Sequence, residues 1–408
     1  MYKFFSLKNL PYFSIFTLIW GNYLAIKIDL PYFVISIPFI LGSIYIIFTS
    51  LLHFNKHKQT FFQTKKVQSF IYLTIVTYSI ATIIKISIIP SQQDFLRNTL
   101  FIIGAMHGTS CILFLDNPIL LKGIHSRILK LYPYIFIFIF LPFMNIGASL
   151  VDSLVFYIAM MSLLPRKYKW ITWFAIIFVI IAPGQRMPLL RIMCTLLFYI
   201  LFKYNLLKNK RILNIVNIIL LLIPIVAFIS ASFGKFNILD TESYMGKVKY
   251  GNESLTDDTR TYLYQEAIES SINHNYIIYG RTFGYGYDSD WSTKRAELTN
   301  NGIMLQRNAE VFIINIYTWM GLIGIILFAI LFFIASQKAI NKSNNMYVRY
   351  IGILVSLQWI FCWIENCMAT INFNQLIMWM EIAICLSPYW RNLKDNEFKL
   401  IIKNIFSK

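Results

Sequence analysis

The chain has 408 residues, of which 57% are hydrophobic and only 14% are charged, whereas about a quarter of an ordinary soluble domain is charged. This composition excludes a soluble globular protein and predicts an integral membrane protein. The net charge of +18 would favour a nucleic-acid partner in a soluble protein, but these bases lie in short stretches between apolar runs, where they orient membrane helices, so no nucleic-acid partner is expected.

Apolar runs of about 20 residues, the length that crosses a bilayer as a helix, recur along the chain. Twelve spans are predicted, near residues 10–28, 31–52, 68–90, 98–115, 131–146, 148–164, 168–182, 187–203, 212–232, 309–335, 347–366 and 370–390. The first lacks a small-residue cleavage signal, so we expect it to remain uncleaved. The seventh and eighth are short, and a re-entrant hairpin is the alternative for them.

The distribution of Lys and Arg gives the orientation. With the N-terminus inside, 24 of these residues fall on the inner side and five on the outer side, leaving aside the long polar stretch 233–308. This is the bias described by the positive-inside rule. Both termini are therefore expected in the cytoplasm, and residues 233–308, here named the polar segment, are expected outside it. The segment carries ten acids and eight bases.

The chain thus divides into four parts. They are a membrane bundle of about nine spans (1–232), an extracytoplasmic loop (233–308), three C-terminal membrane helices (309–390) and a basic amphipathic cytoplasmic tail (391–408) expected to lie on the anionic inner leaflet. The expected fold is an all-α polytopic integral membrane protein with one large extracytoplasmic loop. The five cysteines lie in or beside apolar runs and predict neither a disulfide framework nor a zinc site; no metal and no cofactor are expected.

Two arginines lie near the outer start of the eighth span. Pro188 marks the first turn of that helix, and Arg186 and Arg191 flank it. A helix N-terminus with neighbouring guanidinium groups suits a phosphate at the depth of a lipid headgroup, which makes both arginines candidate substrate-binding residues. Alternatively, they contact headgroups or pair with an acid such as Asp152.

Arg260 is a candidate within the polar segment. It follows Asp257-Asp258-Thr259 and opens a stretch with helical apolar spacing. A base in the first turn of a helix opposes the helix dipole. This position favours either an anionic ligand or a salt bridge with Asp257, Asp258 or Glu266.

A string of glycines and aromatic residues follows. It reads Gly280-Arg281-Thr282-Phe283-Gly284-Tyr285-Gly286-Tyr287-Asp288. The glycines permit tight turns and close approach of the backbone to a ligand. Tyr285 and Tyr287 offer flat faces and hydroxyls suited to sugar rings, and the alternative is that they pack the loop onto the membrane surface.

The polar segment ends at Arg307-Asn308-Ala309-Glu310, where the tenth span begins. A carboxylate in a first helical turn stays ionised because of the dipole, so Glu310 beside a phosphate-binding arginine is a candidate general base. The alternative is an ordinary acid that balances the dipole. Gly321 and Gly324, further along, are expected to permit close helix packing.

Together these features resemble the Wzy-type polymerases of O-antigen and capsule, and the wider O-antigen ligase family. The resemblance is carried by the twelve spans, the late loop, the strings around Arg260 and Arg281, Arg307-Asn308-Ala309-Glu310 before Gly321-Leu322-Ile323-Gly324, and Trp363-Ile364-Glu365-Asn366. The resemblance in topology covers nearly the whole chain, whereas the resemblance in sequence motifs is limited to these short stretches.

The resemblance implies an enzyme of the bacterial inner membrane that needs no metal or nucleotide. Its substrates would be oligosaccharide repeat units on undecaprenyl diphosphate at the outer leaflet, and its partners the bilayer, a chain-length regulator and a flippase. On this reading Arg186, Arg260, Arg281 and Arg307 bind diphosphate, Arg307 and Glu310 form the catalytic pair, and Glu310 is the base. Many relatives have His-Asn where this chain has Arg307-Asn308, so a histidine-centred mechanism does not carry over, and His274 is interpreted as structural.

Two other functions remain open at this stage. A ligase would transfer finished polysaccharide to a terminal acceptor with the same donor and leaving group, so the sequence separates it poorly from a polymerase. A flippase or other transporter of lipid-linked sugar would make no bond, and such proteins usually show repeated halves rather than one long outer loop.

Overall fold

The computed structural model describes residue 80 and residues 148–181, 186–206, 208–232, 249–250, 253–254, 260–281, 285–289, 297–298, 304–306, 309–365 and 373–406. This part of the chain is mostly helical, at 78%. Two of its helices, Lys210–Ser230 and Phe312–Asn341, are long and apolar enough to cross a membrane. The first five predicted spans lie outside the described residues, apart from residue 80.

Within these ranges the helices follow the predicted order. They are α1 (Ala148–Ala159), α2 (Arg166–Ile181), α3 (Arg186–Lys203), α4 (Lys210–Ser232), α5 (Thr261–Asn273), α6 (Phe312–Asn341), α7 (Met346–Cys362), α8 (Phe373–Leu386), α9 (Pro388–Asn392) and α10 (Asp395–Phe406). The predicted spans from 148–164 to 347–366 each correspond to one observed helix, and the span 370–390 covers α8 and the start of α9. Helix placement is therefore confirmed for these residues, because long apolar runs specify helices strongly.

The bundle has two distinct ends. At one end the Tyr264 hydroxyl of α5 donates a hydrogen bond to the carbonyl oxygen of Trp363, just after α7 (2.6 Å). At the other end Phe398 of α10 stacks on Tyr347, at the start of α7 (5.2 Å between ring centroids). We name these the segment end and the tail end. Helices α6, α7 and α8 run alternately between them.

Helix α3 runs from one end of the bundle to the other. Its Arg191 pairs with Glu365 at the segment end, and its Phe202 stacks on Tyr350 toward the tail end (4.6 Å). A re-entrant hairpin would turn back before reaching the far end. The observed path is therefore that of a full-length bundle helix.

Basic residues gather at the tail end. The helix termini and connections there contain Arg166, Lys167, Lys169, Lys203, Lys208, Lys210, Arg211, Lys338, Lys342, Arg349 and Arg391. All of them belong to the 24 bases that the positive-inside rule predicts on the inner side, and the fold places them at one end of the bundle.

The core of the bundle is apolar and rich in aromatic side chains. Helix α7 packs between α6, α4 and α8, and α1 packs against α3 and α8. The rings of Phe332 and Trp359 contact each other within this core, with 5.2 Å between their centroids. The outward faces are apolar too, with a stripe of exposed residues on α6 at helical spacing, namely Leu322, Ile326, Ile330 and Phe333. Apolar residues on both faces are typical of helices surrounded by lipid.

The tail packs differently from the expectation. Helix α10 is amphipathic, but its apolar residues Phe398, Ile402, Ile405 and Phe406 are buried in the bundle core, where Phe406 contacts Tyr168 (5.9 Å). We expected this face to lie on a lipid leaflet. It lies on protein instead, because aromatic residues at the tail end offer it a complementary surface.

The polar segment contains short strands that the all-α expectation missed. Strand β1 (Lys249–Tyr250) pairs antiparallel with β2 (Glu253–Ser254), and β5 (Met304–Gln306) lies between β3 (Tyr287–Asp288) and β4 (Glu297–Leu298), antiparallel to both. Strands of two or three residues are too short to give a periodic signal. The larger sheet packs on α5, with Leu263, Ala267 and Tyr287 in a small core of its own.

Candidate functional site

An interruption in α6 fixes where the polar segment meets the bundle. Gly321 has φ 66° and ψ −158°, a conformation that glycine adopts far more readily than any other residue. The break separates a first part, 312–320, from a second part of 20 residues, 322–341. We expected Gly321 to permit close helix packing; it ends one helical stretch and starts the next.

The polar segment replaces the missing helix turn. The Arg281 N–H donates to the Thr318 carbonyl oxygen (2.6 Å), the Leu322 N–H to that of Ile277 (2.9 Å) and the Ile323 N–H to that of Ile278 (3.3 Å). In a continuous helix such groups bond four residues apart within the same helix. The turn at 277–281 is therefore built into α6 and shares its main-chain hydrogen bonds.

Gly280 makes this joint possible. It has φ 73°, and a Cβ there would overlap the main chain of Trp319 and Met320; a Cβ on Gly321 would overlap the carbonyl of Ile278. We expected the glycines of this string to let the backbone approach a ligand. Gly280 lets it approach the protein's own backbone, which holds Arg281 at a defined position.

Arg281 lies at the centre of a polar cluster. Its Nη1 donates to Asp288 Oδ1 (2.8 Å), and His274 Nε2 contacts the other carboxylate oxygen of Asp288. The guanidinium lies over the rings of Tyr285 (4.6 Å) and Tyr276 (5.5 Å). The side chain of Arg281 is 15% exposed. The cation is therefore fixed by its contacts but is still accessible to a ligand at the surface.

The charge of Asp288 is stabilised by this cluster. Partial burial raises the pKa of the carboxyl, but hydrogen bonds from Arg281 and His274 and their charges outweigh it, so the pKa lies below its ordinary value. Burial also raises the pKa of Tyr276 to about 12. Asp288 is thus ionised near neutral pH and Tyr276 protonated, and the cluster combines a cation, a carboxylate and an imidazole at one surface.

A second ion pair closes the segment end of the bundle. Arg191 Nη2 lies 2.8 Å from Glu365 Oε2, with the arginine side chain 3% exposed and its guanidinium over the Phe361 ring (5.3 Å). The main-chain carbonyl of Glu365 accepts the N–H of Phe312, the first residue of α6 (3.1 Å). Arg191 thus ties α3 to the junction of α6 and α7, and its acidic partner is Glu365.

The other predicted residues are distributed around α5. Arg260 is the residue before α5 and lies close to Tyr264, whose pKa is raised by burial and lowered in part by the arginine charge. Glu310 lies near Tyr287, and burial, with the charges of Glu266 and Glu310, raises the pKa of that tyrosine. Tyr287 is 1% exposed, so its ring offers no face to a sugar in this conformation.

Two predicted positions cannot be placed in the site. Arg307 lies outside the described residues. Arg186 begins α3, but its side chain lies outside the described part of the structure, as does that of Asp152. Their roles in binding and catalysis stay predictions.

An apolar groove opens between α4, α5, α6 and α7 at the segment end. It has a volume of about 230 Å³ and is lined by Phe228, Tyr264, Ala267, Ile268, Ile313, Ile314, Tyr317, Leu322, Ile325 and Trp363. Tyr317 shares a hydrogen bond with Ser271 of α5 (2.6 Å), and the next residue, Thr318, receives the N–H of Arg281. The groove lining and the main-chain bond that positions Arg281 therefore involve consecutive residues of α6, Tyr317 and Thr318.

The chemistry available here is the binding of an amphipathic anion. The groove would take an apolar chain, and the cations and tyrosines would contact a charged or sugar head. Among the described residues, no group of three or more His, Cys, Asp or Glu side chains could hold a metal. Sequence reasoning selected Arg191 and Arg281 but missed their acidic partners, Glu365 and Asp288, since no local pattern joins position 191 to 365 or position 281 to 288.

Comparison of the chain with family models, with curated proteins and with solved structures gives no match.

Proposed function

We propose that this chain is a polytopic protein of the bacterial inner membrane that polymerises undecaprenyl-diphosphate-linked oligosaccharide repeat units at the outer face. The bundle would cross the membrane with its tail end in the cytoplasm, and the polar segment would lie outside. Basic residues at one end and apolar stripes facing outward support this orientation.

One observation carries the proposal: Tyr317 lines an apolar groove, and the next residue of α6, Thr318, binds the main chain of Arg281, whose guanidinium lies over two tyrosine rings. A lipid diphosphate with a sugar head needs these neighbours, because its chain must stay in an apolar environment while its phosphates need cations. A guanidinium has five N–H donors and can contact a carboxylate and a phosphate together. Of the arginines proposed to bind the diphosphate, Arg281 therefore has the strongest structural support.

The proposed reaction transfers the growing glycan from its lipid diphosphate to a hydroxyl of the incoming unit. The C–O bond to the diphosphate breaks and a C–O bond to the acceptor oxygen forms, while the acceptor proton passes to a base. Cations stabilise the departing diphosphate. Arg307 and Glu310 keep the catalytic roles predicted from the sequence. His274 was interpreted from the sequence as structural, but its contact with Asp288 makes it a second candidate for the base.

The experiment that tests this function is the banding pattern of surface glycan in a strain that lacks the gene. The strain is complemented with wild type, Arg281→Gln, Glu310→Gln or His274→Gln, and with Glu269→Gln, an exposed acid of α5, as the matched control. Wild type and the control should restore a ladder, whereas Arg281→Gln should leave single repeat units on the normal acceptor.

Other outcomes identify the competing functions. Full-length polymer retained on the undecaprenyl carrier in the deletion strain would indicate a ligase. Single units trapped on the inner leaflet would indicate a transporter and would overturn the proposed polymerase.

A further inference from the structure

The face of the polar segment next to the break in α6 is apolar and exposed. It consists of Ile268, Ile272, Ile277, Ile278 and Tyr279, here named the isoleucine patch, with exposed fractions from 36% for Ile268 to 68% for Tyr279. Exposed apolar residues scattered singly need no explanation, whereas a contiguous patch on a polar loop marks a contact surface. The question is what covers it.

The patch continues directly into the apolar stripe of α6. Ile277 and Ile278 accept main-chain hydrogen bonds from Leu322 and Ile323, and Leu322 is the first member of the stripe that includes Ile326 and Ile330. The joint is fixed by main-chain hydrogen bonds and by the contact of Gly280 with α6. The patch therefore has a fixed position along the axis of α6, level with Leu322.

The length of α6 beyond the break predicts where this position lies relative to a membrane. Its second part has 20 residues, which at 1.5 Å per residue span about 30 Å, the thickness of the hydrocarbon core of a bilayer. If residues 322–341 cross the membrane, Leu322 lies at the outer boundary of the hydrocarbon. The isoleucine patch then lies at the same level, where apolar and aromatic side chains are favoured.

Helix α5 has the composition that this position requires. Ile268 and Ile272 lie one turn apart on one edge, and Gln265 and Glu269 are exposed on the adjacent edge. One apolar and one polar edge suit a helix in a membrane interface, with the first edge in the lipid and the second in water. Tyr279, the most exposed residue of the patch, suits an interfacial aromatic position.

We infer that the isoleucine patch is a lipid-binding surface that inserts into the outer leaflet and seats the polar segment on the membrane beside the groove. The inference rests on the membrane orientation in the proposed function, and it commits to lipid rather than to protein as the covering partner. It places the mouth of the groove, to which Ile268 and Leu322 contribute, directly at the lipid surface. A lipid-linked substrate could then enter sideways from the bilayer.

The test uses nitroxide labels on single cysteines, introduced into a full-length variant whose five native cysteines are replaced by Ser or Ala, in lipid nanodiscs. Ile278→Cys and Tyr279→Cys probe the patch, Glu269→Cys is the matched control on the polar edge of α5, and Ile330→Cys is the control within the α6 stripe. Collision rates with oxygen, which concentrates in lipid, are compared with those of a water-soluble nickel complex. Two patch positions are labelled so that one poorly folded variant does not decide the result.

We expect the ratio of oxygen to nickel collisions at 278 and 279 to be several-fold higher than at 269 and lower than at 330, which lies deeper in the hydrocarbon. A water-like ratio at 278 and 279 with a lipid-like ratio at 330 would overturn the inference and leave the membrane crossing intact. Protection of 278 and 279 from both reagents would also overturn it, since protein would then cover the patch. A water-like ratio at 330 would overturn the membrane orientation itself.

Discussion

The main chains of Gly280 and Gly321 lie in direct contact, and each occupies the left-handed region of φ. One belongs to the polar segment and the other to the longest helix of the described bundle. Because a Cβ at either position would overlap main-chain atoms, the two glycines act as one joint. The joint sets the position of Arg281, whose N–H bonds to Thr318 on the other side of the break.

Gly321→Ala should destabilise the protein by about 3 kcal/mol, since positive φ and close contact each oppose a side chain. Gly280→Ala should have a similar effect, and the double variant should cost less than the sum because both break one joint. The measurement is the thermal unfolding midpoint of the purified protein. Ile326→Ala, on the exposed stripe of α6, is the control and should change little. Equal midpoints for Gly321→Ala and wild type would contradict the conclusion that the two glycines are needed for the contact between the polar segment and α6.

The stability of the polar segment should depend on pH through Asp288. Its pKa is lower in the folded protein than the ordinary value of 3.8, so its stabilising contribution is fully present above pH 3.8 and is lost as pH falls through the lowered pKa. Asp288→Asn should flatten this acid limb of a plot of unfolding midpoint against pH. Glu269→Gln, on the same segment, should leave it unchanged; an identical slope in Asp288→Asn and wild type would refute the role of Asp288.

Loss of the buried ion pair at the segment end should be costly. Glu365→Gln removes the carboxylate that lies 2.8 Å from the buried guanidinium of Arg191, and breaking a buried ion pair typically costs about 3–5 kcal/mol. Partial exposure of Glu365, at 27%, places the expected loss at the lower end. Replacing both residues, as Arg191→Met with Glu365→Gln, should recover part of it. Additive losses in a double-mutant cycle would show that the two side chains are not coupled.

Filling the groove should impair polymerisation without unfolding the protein. Ile268→Trp places a larger ring at the groove lining, whereas Ile272→Trp makes the same change one turn away on the same edge of α5. We expect shorter or absent glycan ladders for Ile268→Trp and a normal ladder for Ile272→Trp, with equal amounts of protein in the membrane. Normal ladders for both variants would show that polymerisation does not depend on the groove.

The tail helix should contribute to stability through Phe398. This ring is fully buried, stacks on Tyr347 and meets Trp390 edge-on (5.5 Å), and truncation of such a residue typically costs about 3–5 kcal/mol. Phe398→Ala should therefore lower the unfolding midpoint strongly. Leu400→Ala, two residues away and 60% exposed, should not. If α10 lay only on lipid, the two variants would behave alike.

The sequence alone determined where the helices of the described region lie. Long apolar runs specify helices by local composition, and Lys and Arg between them predicted which helix termini share an end. It also selected Arg191, as a cation near a helix N-terminus suited to a phosphate, and Arg281, through the family resemblance.

Tertiary structure alone decided how those residues are used. The break at Gly321, the pairing of Arg191 with Glu365, the contact of His274 with Asp288 and the packing of α10 all join positions far apart in the chain. Such contacts depend on which surfaces meet after the helices have packed, and composition and periodicity carry no information about them. The sequence therefore specified the helices, whereas long-range packing specified the short strands, the break in α6 and the site.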